Sequence, residues 1–474
     1  MQLGTDYLVV GAGASGMAFV DALIEHSDAD VIMVDRRHRP GGHWHDAYPF
    51  VRLHQPAACY GVSSTMLGDD RIDELGNNAG MYELSSAPQI CGYFAEVMER
   101  VLLPSGKVRF LPMSEYRQEG PDDHRVVSLL TGEETRITVR RRVVDATYIE
   151  PEIPSTRGPR FPVDPGVKII PPNDLVKLGS PSAAGFTVLG AGKTAMDTCT
   201  WLLENGVEPD SITWVRSRDA WSIDRAWTQP LDLVHSRARF NAVWLKAAAE
   251  AHSGADMALK LEEAGLFVRL DDGVPPTAFR GATISRAEVE RLRSIRHVVR
   301  AGKVQRLRAD GMELAEGYVP QPPDQIYVDC TATGLRTLEP RPVFEPDRIT
   351  LQYVTPGYAC WSAAILGVVE ALRDDDALKE HLALPVVYTG TVDDLLSFTS
   401  AFLTSAARRG EEPDIRAWSG RTRLNPARGL RDRVTDPRVS EALNESREWM
   451  EPALRNIEKH VGQVDSDRVE GVVT

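Results

Sequence analysis

An α/β fold with two nucleotide-binding halves is predicted by three features of this 474-residue chain. Two glycine-rich loops recur, each between an apolar run and a helix-like stretch. The strand-like run after each loop ends in a charged residue, acidic in the first case and basic in the second. The 42% hydrophobic content over this length can bury the cores of two or three domains.

The first loop, Gly11-Ala12-Gly13-Ala14-Ser15-Gly16, follows Tyr7-Leu8-Val9-Val10. It opens a stretch whose Met17, Val20, Leu23 and Ile24 are spaced to share one helix face. The second, Gly190-Ala191-Gly192-Lys193-Thr194-Ala195, follows Phe186-Thr187-Val188-Leu189 and continues through Met196, Cys199, Leu202 and Leu203 to a helix end near Asn205-Gly206. Glycine is needed where backbone turns tightly and approaches a pyrophosphate, whose charge is met by free N–H groups at a helix N-terminus. A single such turn could merely join strand to helix. Two in one chain, both in context, predict two Rossmann-like dinucleotide-binding domains.

The strand ends separate the ligands. Val31-Ile32-Met33-Val34 runs into Asp35, at the spacing where a carboxylate accepts hydrogen bonds from the ribose of an adenosine lacking a 2′-phosphate, as in FAD or NAD. Ile212-Thr213-Trp214-Val215 runs into Arg216-Ser217-Arg218, whose guanidinium groups suit the 2′-phosphate of NADPH. The plain alternative for Arg216 and Arg218 is a solvated strand end.

Beyond Asp35 and Arg36 stands Gly41-Gly42-His43-Trp44, where paired glycines let backbone lie against a flat cofactor. On these residues the chain resembles the two-dinucleotide-domain flavoproteins, and more narrowly the class B flavin-dependent monooxygenases, which include flavin-containing, Baeyer–Villiger and N-hydroxylating enzymes. Val51-Arg52-Leu53-His54-Gln55-Pro56 is similar to the family segment beside the reactive edge of the flavin, with His54 and Gln55 where the family often has Asn and Thr. Ile326 to Gly334, containing Ala332-Thr333-Gly334, looks like the family's Ala-Thr-Gly strand, and Val143 to Thr147 looks like its degenerate first copy.

The resemblance implies FAD on Gly11, Gly13, Ala14, Ser15, Gly16, Asp35, Arg36, Gly42, His43, Trp44 and His54. It implies NADPH on Gly190, Gly192, Lys193, Thr194, Ala195, Arg216 and Arg218, with Thr333 and Gly334 also at the cofactors. His54 and Gln55 would be the catalytic residues, setting the proton inventory beside the flavin. The implied activity is oxygenation of a small molecule by dioxygen through a C4a-(hydro)peroxyflavin, as N-, S- or Baeyer–Villiger oxidation, and the family habit implies a homo-oligomer. One departure is plain: the family's Phe-x-Gly-x-x-x-His fingerprint is absent, since Phe161 to Asp174 carries Pro171 and Pro172 where the histidine is expected. An NADPH-dependent oxidase or reductase is therefore a competing reading, and a non-catalytic FAD-binding redox sensor a third.

Five isolated cysteines with no C-x-x-C pair exclude disulfide reduction and fit a reducing cytoplasm, as does the lack of a secretory signal ahead of the first strand. No apolar run reaches membrane-span length. The net charge of -14 argues against nucleic acid as a partner. His38, His43, His45 and His54 match no zinc spacing, so no metal is expected. Arg140-Arg141-Arg142 and the arginines from Arg286 to Arg308 read as solvated faces.

The expected organisation is an FAD domain over 1–155 and an NADPH domain over 156–324 with a helical insertion at about 230–266. The chain then returns to the FAD domain over 325–400 and ends in a helical region over 401–474. Ser285-Arg286-Ala287-Glu288 has the form of a capping box. Tyr358 to Leu372 reads as an apolar helix whose N-terminus faces the flavin, and Asp465 to Thr474 as a frayed tail.

Overall fold

A computed structural model describes residues 2–120, 122–179, 185–334 and 338–461. The expected fraying of Asp465 to Thr474 lies outside them.

The first half runs β1 (Gln2–Val10), α1 (Ala14–His26), β2 (Val31–Val34), α2 (Ala87–Val97), β3 (Val108–Leu111), then the meander β4 (Ser114–Gly120), β5 (Asp123–Ser128) and β6 (Glu134–Asp145). Strands β3, β2, β1 and β6 are parallel neighbours, and β5 and β4 continue from β6 in antiparallel sense. Tyr7, Leu8 and Val9 are buried, as expected of a parallel strand covered on both faces. Val10 sits in register with Val34 on one side and Asp145 on the other. The first glycine loop, Asp35 and the Asp145-Ala146-Thr147 turn therefore emerge together at the carboxyl edge of the sheet, where such folds bind ligands.

The second half opens with β7 (Lys168–Ile170), β8 (Phe186–Leu189), α3 (Lys193–Glu204) and β9 (Ile212–Val215). A small sheet of β10 (Ala220–Asp224), β11 (Phe267–Val268) and β12 (Ala278–Ile284) follows, with helices α4 (Val234–Glu250) and α5 (Gly254–Glu263) between its first two strands. Helix α6 (Arg286–Leu292) starts on a complete capping box between Ser285 and Glu288. After β13 (His297–Val299) come a hairpin meander, β14 (Val304–Arg308), β15 (Gly311–Leu314) and β16 (Gly317–Pro320), and then β17 (Ile326–Asp329). The parallel sheet has the order β13-β9-β8-β17-β7.

This order corrects the expected boundary at 325. Ile326 pairs with Phe186 on one side and Lys168 on the other, so the strand is an interior member of the second sheet. Return to the first half comes only with β18 (Arg348–Thr350), parallel to the end of β6. The 140–142 patch also differs from expectation. Arg142 is buried and paired with Glu370 at 2.8 Å and Asp376 at 2.5 Å, so its charge ties the return segment to β6.

Helix α7 (Ala359–Leu372) packs on α1 so closely that a Cβ at Gly367 would lie 2.5 Å from the Phe19 carbonyl oxygen. The remaining helices are α8 (Asp376–Leu382), α9 (Leu395–Glu411), α10 (Pro413–Ser419) and α11 (Pro437–Val461). Helix α9 runs without a break across the expected 400/401 boundary. Its Leu395 and Leu396 share one apolar core with Trp244 of α4, Phe267, Phe279 and Ile457 of α11. The insertion and the C-terminal helices thus build a common helical cover. Among the described residues, no helix is long and apolar enough to cross a membrane.

Candidate active site

Both glycine loops open into one cavity of about 2120 Å³. Pockets for one small ligand run to roughly 300–1,000 Å³, so this space suits more than one.

On the first side, α1 begins directly after Gly13, with no side chain capping its free amides and no acid in its first turn. A Cβ at Gly42 would lie 2.9 Å from the Gly13 Cα, and Gly42 has φ +59, so the two loops touch backbone to backbone. Gly11, Gly13, Ala14, Ser15 and Gly42 line the cavity. Gly16 lies behind them, where a Cβ would be 2.1 Å from the Gly11 carbonyl oxygen.

Asp35 accepts from the Ala12 amide at 2.7 Å with one oxygen and from the Arg37 amide at 2.8 Å with the other. Each carboxylate oxygen keeps a lone pair for a ribose hydroxyl. Arg36 is exposed at the rim, whereas Arg37 is taken by Asp46 at 2.6 Å. Trp44 donates its indole N–H to the Tyr60 hydroxyl at 2.8 Å, and His43 packs on Trp44 with ring centroids 5.1 Å apart. Burial, helped by the charge of Arg37, pushes His43 down to about 4, so its imidazole is neutral near pH 7. A backbone cradle, an uncapped helix N-terminus and a strand-end acid fit the adenosine and pyrophosphate of FAD.

On the second side, Gly190, Gly192, Lys193 and Thr194 line the cavity, and Ala195 lies behind them as Gly16 does in the first loop. Helix α3 begins after Gly192 without a side-chain cap, and a Cβ at Gly192 would meet only open space. That opening fits a phosphate approaching the backbone. Two expected ligands behave otherwise. The Lys193 ammonium, on a side chain only 9% exposed, is paired with Asp197 and with Glu288 at 3.1 Å, so its charge is already committed. Arg216 is 3% exposed, lies over the Trp214 ring at 4.9 Å and pairs with Asp219 at 3.2 Å; it does not reach the cavity.

Other cations of the second half that line the cavity include Arg218 and two that the sequence reading missed, Arg280 and Lys303. Arg280 donates to the Thr333 carbonyl at 3.2 Å, and the Thr333 hydroxyl donates to Glu152 at 3.1 Å. Thr333 and Gly334 thereby stand at the cavity wall where the two halves meet.

His54 and Gln55 also line the cavity. Gln55 donates its amide N–H to the Cys59 carbonyl at 3.2 Å, and the Thr283 hydroxyl donates to the His54 carbonyl. The His54 Nε2 is 3.8 Å from Asp197 Oδ2, an oxygen that also accepts from the Tyr48 hydroxyl at 2.6 Å. Beyond Asp197 the charges continue through Lys193 and Glu288 to Arg225, which reaches Glu288 at 2.7 Å and Asn78 at 3.1 Å. Tyr48, His54 and Asn78 belong to the first half and the others to the second, so one network, largely buried except at His54, spans the junction.

Burial opposes the charge on Glu288, but Lys193 and Arg225 hold it down to about 2. Asp197 is likewise held well below the carboxylate range by Lys193 and His54 against the effect of burial. His54 is lowered by burial, with Asp197 partly opposing the shift. The sequence reading missed Tyr48, Asn78, Asp197, Arg225 and Glu288 as junction residues. The four-residue spacing of Lys193 and Asp197 on α3 was the available signal. Among the described residues, no cluster of His, Cys, Asp and Glu could hold a metal ion.

The same cavity has an aromatic lobe, lined by Trp221, Phe240, Trp244, Phe279, Tyr388 and Phe398, most of whose rings contact one another. Tyr358 and Ala359, at the start of α7, also line the cavity.

Residues 9–63 match the model of an NAD(P)-binding Rossmann-like domain. The match covers the ADP-recognising loop and strand that FAD and NAD(P) sites share. The chain is 44% identical over 441 residues to the uncharacterized protein Rv2000 of Mycobacterium tuberculosis, covering 93% of this chain and 81% of the relative. The uncharacterized protein Mb2023 of Mycobacterium bovis matches equally. Among solved structures, a polycyclic ketone monooxygenase from Thermothelomyces thermophila superposes with a TM-score of 0.52 at 12% identity, over 94% of this chain and 88% of that one. An oxidized steroid monooxygenase bound to NADP gives 0.50 at 14% identity, over 96% and 99%.

Proposed function

The chain belongs to one family with these uncharacterized mycobacterial proteins and carries the fold of the class B flavin monooxygenases, and on that premise we propose that it is an FAD- and NADPH-dependent monooxygenase of a small molecule. The observation that carries the reading is that two uncapped, glycine-lined helix N-termini face one cavity, which also opens into an aromatic lobe. When bound, FAD and NADPH supply the electrons that let one atom of dioxygen pass to a substrate and the other to water.

The residues divide that work. Gly13 and Gly42 hold backbone against the flavin nucleotide, with Asp35 on its ribose. Arg218 and Lys303 select the 2′-phosphate by charge. The aromatic lobe and its helical cover exclude water from the reacting centre. With Nε2 of His54 turned toward Asp197, the N–H of a neutral imidazole belongs on that nitrogen, which leaves Nδ1 as a proton acceptor. Gln55, its amide N–H held by Cys59, keeps a carbonyl acceptor beside it.

The test is coupling. FAD-loaded protein is given NADPH, dioxygen and, in turn, methyl tolyl sulfide, dimethylaniline and cyclohexanone, and oxygenated product and hydrogen peroxide are counted per NADPH oxidised. Product from at least one probe, with little peroxide, is the expected result. Peroxide equal to NADPH with every probe would support the second reading, an NADPH oxidase, which the Pro171-Pro172 sequence at the missing fingerprint favours.

A further inference from the structure

We propose that the aromatic lobe takes an aromatic organic carboxylate whose carboxylate group pairs with Arg237. The ligand class rests on the lobe itself, and only its role as the substrate rests on the monooxygenase reading. The walls suit flat apolar groups: Phe240 stacks on Trp244 at 5.3 Å with planes 12° apart, and Tyr388 meets Phe398 at 4.6 Å.

The charge in this wall has one sign. Three arginines, Arg237, Arg409 and Arg416, line the cavity from α4, α9 and α10, while Arg280 of β12 donates to the Thr333 carbonyl, and among the described residues that these elements and α11 present to the cavity there is no Asp or Glu. The acids that line the cavity, such as Asp35, Asp46 and Glu152, stand on the first half and at the crossing. None of the three arginines has a carboxylate partner among the described residues, whereas Arg142, Arg225 and Arg373 elsewhere all do. Arg409 spends its donors on the Val354 and Leu382 carbonyls and the Ser405 hydroxyl, and Arg416 donates to the Gly410 carbonyl.

Of these three, only Arg237 has no hydrogen bond at all among the described residues. It is half-buried in the first turn of α4, with its guanidinium carbon 4.7 Å from the Phe240 ring centroid and no ion-pair or hydrogen-bond partner among the described residues. It lines the cavity beside Phe240, Asn241 and Trp244 of α4, and its positive charge opposes the effect of burial on Tyr358, Tyr388 and Cys59. A guanidinium seated over an aromatic ring with no partner on its edge keeps those N–H donors available, and a carboxylate can accept from two of them with its two oxygens. A neutral ligand leaves this charge uncompensated, and a cationic one meets repulsion with no acid to offset it.

The experiment is calorimetric titration of the FAD-loaded protein with phenylpropionate and naphthylacetate, with the primary amide of each, and with naphthylethylammonium. The expected result is that at least one carboxylate binds about tenfold or more tighter than its amide, with the ammonium weakest. In Arg237→Gln the gap between carboxylate and amide closes while amide affinity changes by less than about threefold, as removal of a charge-assisted pair requires. Equal affinities in the wild type, a tighter ammonium, no heat from either carboxylate, or a gap that survives in Arg237→Gln would each overturn the proposal. The wild-type comparison stands even if the variant fails to fold. Flavin bleaching by NADPH is read in the same wild-type sample. Bleaching without a carboxylate preference overturns the ligand class and spares the monooxygenase reading. A carboxylate preference without bleaching supports the ligand class and removes that reading.

Discussion

The two glycine loops share a plan and differ in what compensates the charge next to them. In both, a buried strand ends in a glycine, a helix starts uncapped, and a neighbouring strand ends in an Asp-x-Thr turn. The turns are alike in detail. Asp145 accepts from the amide and hydroxyl of Thr147 at 2.9 and 2.7 Å, and Asp329 does so from Thr331 at 2.9 and 2.6 Å. The strand-end charges then diverge. Asp35 is held at the cavity by amides of its own loop, while Arg216 is folded onto Trp214 and Asp219 and leaves Arg218 at the rim. Lys193 points into the domain junction, which the first loop does not attempt because Ala14 stands at that position. A motif therefore identifies the loop, and the local compensation of charge decides which side chain meets the ligand.

Gly16→Ala against Ala195→Gly is the sharpest way to break this comparison. The first places a Cβ on the Gly11 carbonyl and is expected to abolish retained flavin, while the second costs at most about 1 kcal/mol. Flavin absorbance per chain and urea unfolding check both, and a flavin-replete Gly16→Ala protein would show that the first loop is no tighter than the second.

Next in size, Glu288→Gln leaves Lys193 and Arg225 under-compensated in the buried junction and is expected to cost about 3–5 kcal/mol in urea unfolding. Because folding lowers Glu288 from 4.5 to about 2, its contribution is present in full above pH 4.5 and is lost as pH falls through about 2. The variant should accordingly lose stability less steeply across that window.

Arg218→Ala should raise the KM for NADPH about tenfold or more and leave NADH unchanged. Arg216→Ala should lower Tm with the ratio of the two KM values unaltered. A reversed outcome would return Arg216 to the phosphate site. The smallest effect is in pH: Asp197→Asn removes the charge that opposes burial at His54, so any acid limb of flavin reduction governed by His54 should move to lower pH. A shift to higher pH would sink the assignment.

Local features were legible in the sequence. The strand-loop-helix units, Asp35 and the Ser285-Glu288 capping box depend on residues within about a turn or two of one another, and spacing encodes such relations. The place of Ile326–Asp329 in the second sheet depends on pairing with Phe186–Leu189 far back in the chain, and an Ala-Thr-Gly segment after it carries no record of that register. The burial of Arg216 was missed although a clue existed, since Trp214 and Arg216 are two apart in the extended chain at the end of β9 and so share a face. The Lys193–Glu288–Arg225 network and the free Arg237 arise where distant segments meet, and their sequence neighbours look like ordinary amphipathic helix.

The central claim is that the first half holds FAD and the second selects NADPH, both opening on one cavity. It is tested most directly by mixing FAD-loaded protein with NADPH or NADH in the absence of dioxygen and following flavin bleaching. The account predicts bleaching that half-saturates at about tenfold or more lower NADPH than NADH. No bleaching by either nucleotide, or equal use of NADH, would contradict it.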